Sequence, residues 1–149
     1  MAAIRDLRTE DWDAWKPLWD GYLRFYREPL PDAVTEATFR RLCERTDGML
    51  AVVAEDDEGA LVGFAHIVIH PSTWSATSYC YLEDLFVSRA GRGADVARRL
   101  IESVYGVARE AGSTRVYWHT QQFNGAARSL YDTIAQNTSH VVYEWYPAE

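Results

Sequence analysis

Apolar residues recur along the chain in two rhythms, one of about three and a half residues and one of two, and the changes between them mark out its elements. Ala3 to Leu7 reads as a short strand, and Thr9-Glu10-Asp11 then supplies helix-capping chemistry. Trp12, Trp15, Trp19, Tyr22 and Tyr26 follow at steps of three, four, three and four, which sets five aromatics on one face of a helix over about 11–26. A face of that kind buries itself, so the stripe reads as core. The prolines of "REPLPD" end the helix, and a second is expected over about 36–45. Three strand-like runs come next, Met49 to Glu55, Leu61 to Ile69 and Tyr79 to Val87, the first two joined by "EDDEGA" in the manner of an antiparallel meander. Val96, Leu100, Val104 and Val107 keep a helical period over about 95–111, and Gly112 stops it. A short strand "TRVYWHT", a helix over about 125–134 and a last strand "HVVYEWY" complete the order β-α-α-β-β-β-α-β-α-β, a mixed α/β fold without repeat or linker.

With 149 residues and 48% apolar content, the expectation is one domain over 1–149. No apolar run reaches membrane-spanning length, and the N-terminus turns charged at once, so a cytoplasmic protein with no membrane partner is expected. Cys43 and Cys80 give neither a disulfide framework nor metal-like spacing and read as free thiols. A formal charge of −7 argues against a nucleic-acid partner. The cluster Arg89, Arg92, Arg98 and Arg99 stands out from this acidic background and suits a single anionic ligand. His66 and His70 lie four apart without a third ligand at convincing spacing, so no metal is expected.

The cluster belongs to "RAGRGADVARRL", residues 89–100, between the run that ends at Val87 and the helix that follows. Small residues and glycines at such a junction leave backbone N–H groups of a helix N-terminus open to an approaching phosphate. "GRGADV" also imitates the start of the dinucleotide fingerprint Gly-x-Gly-x-x-Gly. Val96, however, stands where the third glycine belongs, and "RVYWHT" lacks the acidic residue that would hold a ribose. Taken together with "YLEDLFV" before it and "NGAARSLY" after it, the stretch resembles the GCN5-related N-acetyltransferase (GNAT) family, whose element order is similar to this one over nearly all of the chain. The family's phosphate motif is Arg/Gln-x-x-Gly-x-Gly/Ala. Arg92-Gly93-Ala94-Asp95-Val96-Ala97 matches its first and last positions and carries Asp95 where glycine is expected, while Asn124, Ala127 and Tyr131 match Asn-x-x-Ala-x-x-x-Tyr.

The resemblance implies a mostly antiparallel central sheet flanked by helices, acetyl-CoA (coenzyme A) as co-substrate, and direct transfer of the acetyl group in a ternary complex to a primary amine of a small molecule such as a polyamine or amino acid. It places the backbone of Leu85, Phe86 and Val87 along the pantetheine arm. Arg92, Gly93, Ala94, Asp95, Val96, Ala97 and Arg98 fall around the pyrophosphate, and Asn124 and Ala127 beside the arm. An ammonium with a pKa near ~10 must lose a proton before it attacks a thioester. Glu83 is the expected base, directly or through water, with His119 as the alternative, and Tyr131 is placed to protonate the departing thiolate. If the strand is regular, Asp84 faces opposite to Glu83. Asp84, Tyr26, Glu28 and Asp32 are the expected wall of the acceptor pocket, their acids favouring a cation. Related acetyltransferases are often dimers, which leaves a homodimer open. Asp95 sets two expectations: its charge weakens binding of a phosphate, and its carboxylate caps the helix from Val96 or pairs with Arg92, Arg98 or Arg99. It also keeps an alternative open, a degenerate GNAT-fold module that binds or senses without catalysing.

Overall fold

The computed structural model describes residues 2–93 and 95–148, so Ala94, expected at the pyrophosphate, lies outside the described residues. A larger compact unit runs to His119 and a smaller one starts at Thr120. The larger unit contains β1 (Ala3–Asp6), α1 (Trp12–Tyr26), α2 (Asp32–Glu44), β2 (Met49–Glu55), β3 (Leu61–His70), β4 (Tyr79–Val87), α3 (Val96–Ala111) and β5 (Val116–Tyr117). The strands form one sheet in chain order, β1 to β4 antiparallel and β5 parallel to β4. The expected class, a mostly antiparallel sheet flanked by helices, is the one observed.

The sequence explains the layering. β2 and the first seven residues of β3 are almost continuously buried, because helices cover both faces of the sheet. On one face Trp15, Leu18 and Trp19 of α1 and Phe39 and Leu42 of α2 pack with Ala51, Val53 and Phe64. The aromatic stripe is therefore core at its centre, with Trp12 and Tyr22 packed against that core as half-buried flanks. Val96, Leu100, Ile101, Val104 and Ala108 of α3 are buried in turn. Gly63 sits where β3 passes beneath α3, and a Cβ there would meet the Phe86 carbonyl oxygen at 2.9 Å and Leu100 Cδ1 at 3.3 Å, so only glycine fits.

Three boundaries depart from expectation. α2 starts at Asp32 rather than near 36, with Pro31 as its N-cap residue and the acid in the first turn. β5 spans Val116–Tyr117 instead of the whole of "TRVYWHT", because its ladder to β4 has rungs only at Cys80 and Tyr81. Within the smaller unit α4 (Gly125–Ile134) forms as expected, whereas "HVVYEWY" is not a strand. Alternating side chains alone do not make a strand; its backbone needs a ladder partner, and the sheet's pairings take in none of these residues. No helix among the described residues is long and apolar enough to cross a membrane.

Candidate active site

The site is organised by an irregularity in β4. Its register against β3 pairs Asp84 with His66 and Leu82 with Ile67, so Glu83 is an extra residue, a β-bulge. The bulge changes the parity of the strand. Leu82 and Asp84, which would share a face in a regular strand, follow Ile67 and His66 to opposite faces, and Glu83 stands exposed between them. The simple alternation expected for Glu83 and Asp84 therefore gives way to a bulged pair with separate surroundings.

Asp84 turns toward α1. Its Oδ1 accepts the Tyr22 hydroxyl at 2.7 Å, and its Oδ2 lies 2.9 Å from His66 Nδ1. His66 is buried, stacks on the Phe64 ring at 4.2 Å and accepts the Trp15 indole N–H at its Nε2 at 3.0 Å. Burial and the Asp84 charge push the Tyr22 hydroxyl well above its usual range. Tyr26, half-buried beside the Tyr22 ring at 4.9 Å, is raised by burial and then by Asp84. Glu83 meets different neighbours. The Tyr81 hydroxyl, 3.1 Å from His119 Nδ1, acts on the Glu83 carboxylate. Partial desolvation, followed by the adjacent charge of Asp84, pushes the Glu83 carboxyl above the ordinary range; the Tyr81 hydroxyl and the His119 imidazole pull it part of the way back.

Beyond the bulge, β4 opens along its other edge. β4 and β5 share rungs only at Cys80 and Tyr81, while β3 stays paired to β4 as far as Val87. Among the described residues, no strand is laddered to the edge of Leu85, Phe86 and Val87 that faces away from β3. A 3₁₀ turn, Arg89–Gly91, leads from the strand to α3. Gly93 has φ 83°, a left-handed conformation that favours glycine, and the first amides of α3, on Val96 and Ala97, have no partner inside the helix. Open edge, glycine turn and helix N-terminus fit coenzyme A as substrate. Asp95 does not cap the helix as expected. It is the N-cap residue of α3 with φ 56°, and its side chain makes no cap hydrogen bond. The expected Arg99 partner is engaged elsewhere, its guanidinium donating to the Ala2 carbonyl.

The remaining expected residues are placed as follows. Asn124 is the N-cap of α4, its Oδ1 3.5 Å from the Ala127 N–H, and Tyr131 lies two turns along the same helix. Glu28 follows α1 and Asp32 opens α2, both exposed. No group of three metal-ligating side chains occurs among the described residues. Reading by motif missed Trp15, Tyr22, His66 and Tyr81 as site residues. The one visible signal was His66, a polar residue inside the apolar run "LVGFAHIVI".

Comparison with known proteins agrees with this geometry. The family model for the acetyltransferase (GNAT) family matches residues 6–134. The chain is 35% identical over 142 residues to the D-amino-acid N-acetyltransferase HPA3 of Saccharomyces cerevisiae, covering 95% of this chain and 88% of that one. It is 32% identical over 88 residues to the thialysine N-epsilon-acetyltransferase of Caenorhabditis elegans, covering 58% of this chain and 51% of the relative. Among solved structures, the aminoglycoside acetyltransferase AAC(6')-Iy in complex with a bisubstrate analogue superposes with a TM-score of 0.85 at 20% identity, covering 99% of both chains.

Proposed function

Because the chain belongs to the GNAT family and is an N-acetyltransferase, we propose that it transfers the acetyl group of acetyl-CoA directly, in a ternary complex, to a primary amine of a small molecule such as an amino acid or polyamine. The observation that carries this reading is the bulge, which presents Glu83 beside the open edge of β4. In the proposed reaction Glu83 accepts a proton from the acceptor ammonium, directly or through water. The freed nitrogen attacks the thioester carbonyl, the C–N bond forms as the C–S bond breaks, Tyr131 donates its phenolic proton to the thiolate, and the second proton of the nitrogen returns through water to the Tyr131 phenolate, leaving the neutral amide. Amides of Leu85 to Val87 hold the arm and the carbonyl oxygen, and the turn from Arg92 to Arg98 holds the pyrophosphate. Asn124 and Ala127 lie beside the arm. Tyr26, Glu28, Asp32 and Asp84 line the acceptor side, where acids favour a cation. D-amino acids are the first acceptors to test, in view of the yeast relative.

Acetyl-CoA consumption measured with D-lysine, L-lysine, 1,3-diaminopropane and an aminoglycoside tests the reading. Turnover with at least one amine is expected. Tyr131→Phe should retain acetyl-CoA binding and lose turnover roughly tenfold or more. Absence of acetyl-CoA binding by calorimetry, or full turnover in Tyr131→Phe, would overturn the proposal or that role.

A further inference from the structure

The four side chains Trp15, His66, Asp84 and Tyr22 form one hydrogen-bonded chain from the core to the bulge, and its donors and acceptors admit a single arrangement. An indole nitrogen only donates, so His66 Nε2, 3.0 Å from Trp15 Nε1, presents its lone pair. The proton of the neutral ring is then on Nδ1, which donates to Asp84 Oδ2 at 2.9 Å. Asp84 Oδ1 accepts from Tyr22 at 2.7 Å, so each carboxylate oxygen accepts a hydrogen bond.

We propose that Trp15 is a charge-keeping residue: by occupying Nε2 it denies His66 a second proton, and so leaves Asp84 an uncompensated anion that, with Glu83 beside it, draws an ammonium-bearing acceptor to the bulge. A protonated His66 would neutralise Asp84 and present an N–H to the Trp15 N–H, donor against donor. No lysine or arginine among the described residues bonds Asp84, whose partners are Tyr22 and His66, and the His119 imidazole faces Glu83. Toward His66 and Asp84, α1 presents the rings of Trp15 and Trp19 and the hydroxyls of Tyr22 and Tyr26. From β4 come Asp84 and the neighbouring Glu83, from β3 the Phe64 ring, and from β2 the register partner Ala51. The group placed to compensate Asp84 is His66, and Trp15 prevents it. Trp15, His66 and Tyr22 are accordingly positioning residues, acting on the acceptor through Asp84.

This inference rests on the acceptor reading above, yet its first test does not use the reaction. Nitrogen-15 NMR of the imidazoles in the intact protein, with the His66 signals assigned by their loss in His66→Gln, should show a protonated Nδ1 and an unprotonated Nε2, unchanged between about pH 6 and pH 8. An Nε2–H tautomer or an imidazolium in the parent protein would overturn the proposal. In Trp15→Phe, His66 should take up a second proton over that range. Over the same range the KM for D-lysine should rise roughly threefold to tenfold toward acid, as the pair loses its charge. Adding His66→Gln to that variant, a ring-free side chain that cannot titrate, should flatten KM again. A KM that stays level while His66 titrates would also overturn the proposal. If D-lysine is not acetylated, KM is read with whichever of the four amines above is; if none is acetylated the acceptor reading fails, and the NMR result still decides the tautomer. Should Trp15→Phe not fold, the parent spectrum alone carries the decision.

Discussion

Asp84, next to Glu83 in the chain, and Tyr81, two residues before it, act in opposite directions on the pH dependence of the reaction. As a base, Glu83 works only when ionised, so whatever pushes its carboxyl up shortens the active range on the acid side. Asp84 pushes up and the Tyr81 hydroxyl pulls down. Asp84→Asn is therefore expected to move the acid limb of kcat/KM to lower pH, and Tyr81→Phe to higher pH. Glu83→Gln is expected to cost roughly a hundredfold at neutral pH and to recover partly in base as the free amine accumulates. Steady-state pH profiles of the three variants check this. General damage to the strand would not shift neighbouring variants in opposite directions, so two shifts of the same sign would remove Glu83 from the role of base.

Where β4 hands over to α3, the helix starts on a residue in an unfavourable conformation. Asp95 has φ 56° and no cap bond, in the region where glycine is at ease and a carboxylate side chain gains nothing. The sequence alone suggested that glycine here would cost stability. With the cap absent, Asp95→Gly is instead expected to stabilise by about 0.5 kcal/mol, raising Tm by a few degrees, and to bind acetyl-CoA a few-fold to tenfold tighter once the charge is gone. Calorimetry of unfolding and of binding measures both, and a lower Tm in the variant would restore the cap. This correction indicates what was legible beforehand. Helical period and strand runs are local, which is why α3, β2, β4 and α4 fall where the residues placed them. The bulge at Glu83 was hidden because register belongs to a pair of strands, and the His66–Asp84 rung appears only once β3 lies against β4. For the same reason "HVVYEWY" read as a strand, since the sequence displays alternation and not the ladder. The left-handed turn at Asp95 had one visible sign, the glycine that the family motif carries at that position.

Arg5 joins three parts of the larger unit that are distant in sequence. Its guanidinium bonds both oxygens of Asp11 at 2.8 Å, ahead of α1, and Glu55 on β2 at 2.7 Å. The Arg5 hydrogen bonds, chief among the causes, hold the Asp11 carboxyl below its usual range. A lowered carboxyl stabilises the fold above its unfolded-state value, and that contribution is lost as pH falls through the folded one. Asp11→Asn is thus expected to cost about 2 kcal/mol at neutral pH and almost nothing in acid below the ordinary carboxylate range, which urea unfolding at the two pH values would measure. The divergence of β4 and β5 has a further consequence, one of time. Cys80 stands on the last rungs before the strands part, wholly enclosed, its thiol pushed up by burial to about 11. Cys43, half-buried on α2, is less protected. A thiol reagent reaches Cys80 only when the strands separate, so the delay between labelling of the two cysteines counts those separations, and a ligand seated along β4 lengthens the interval.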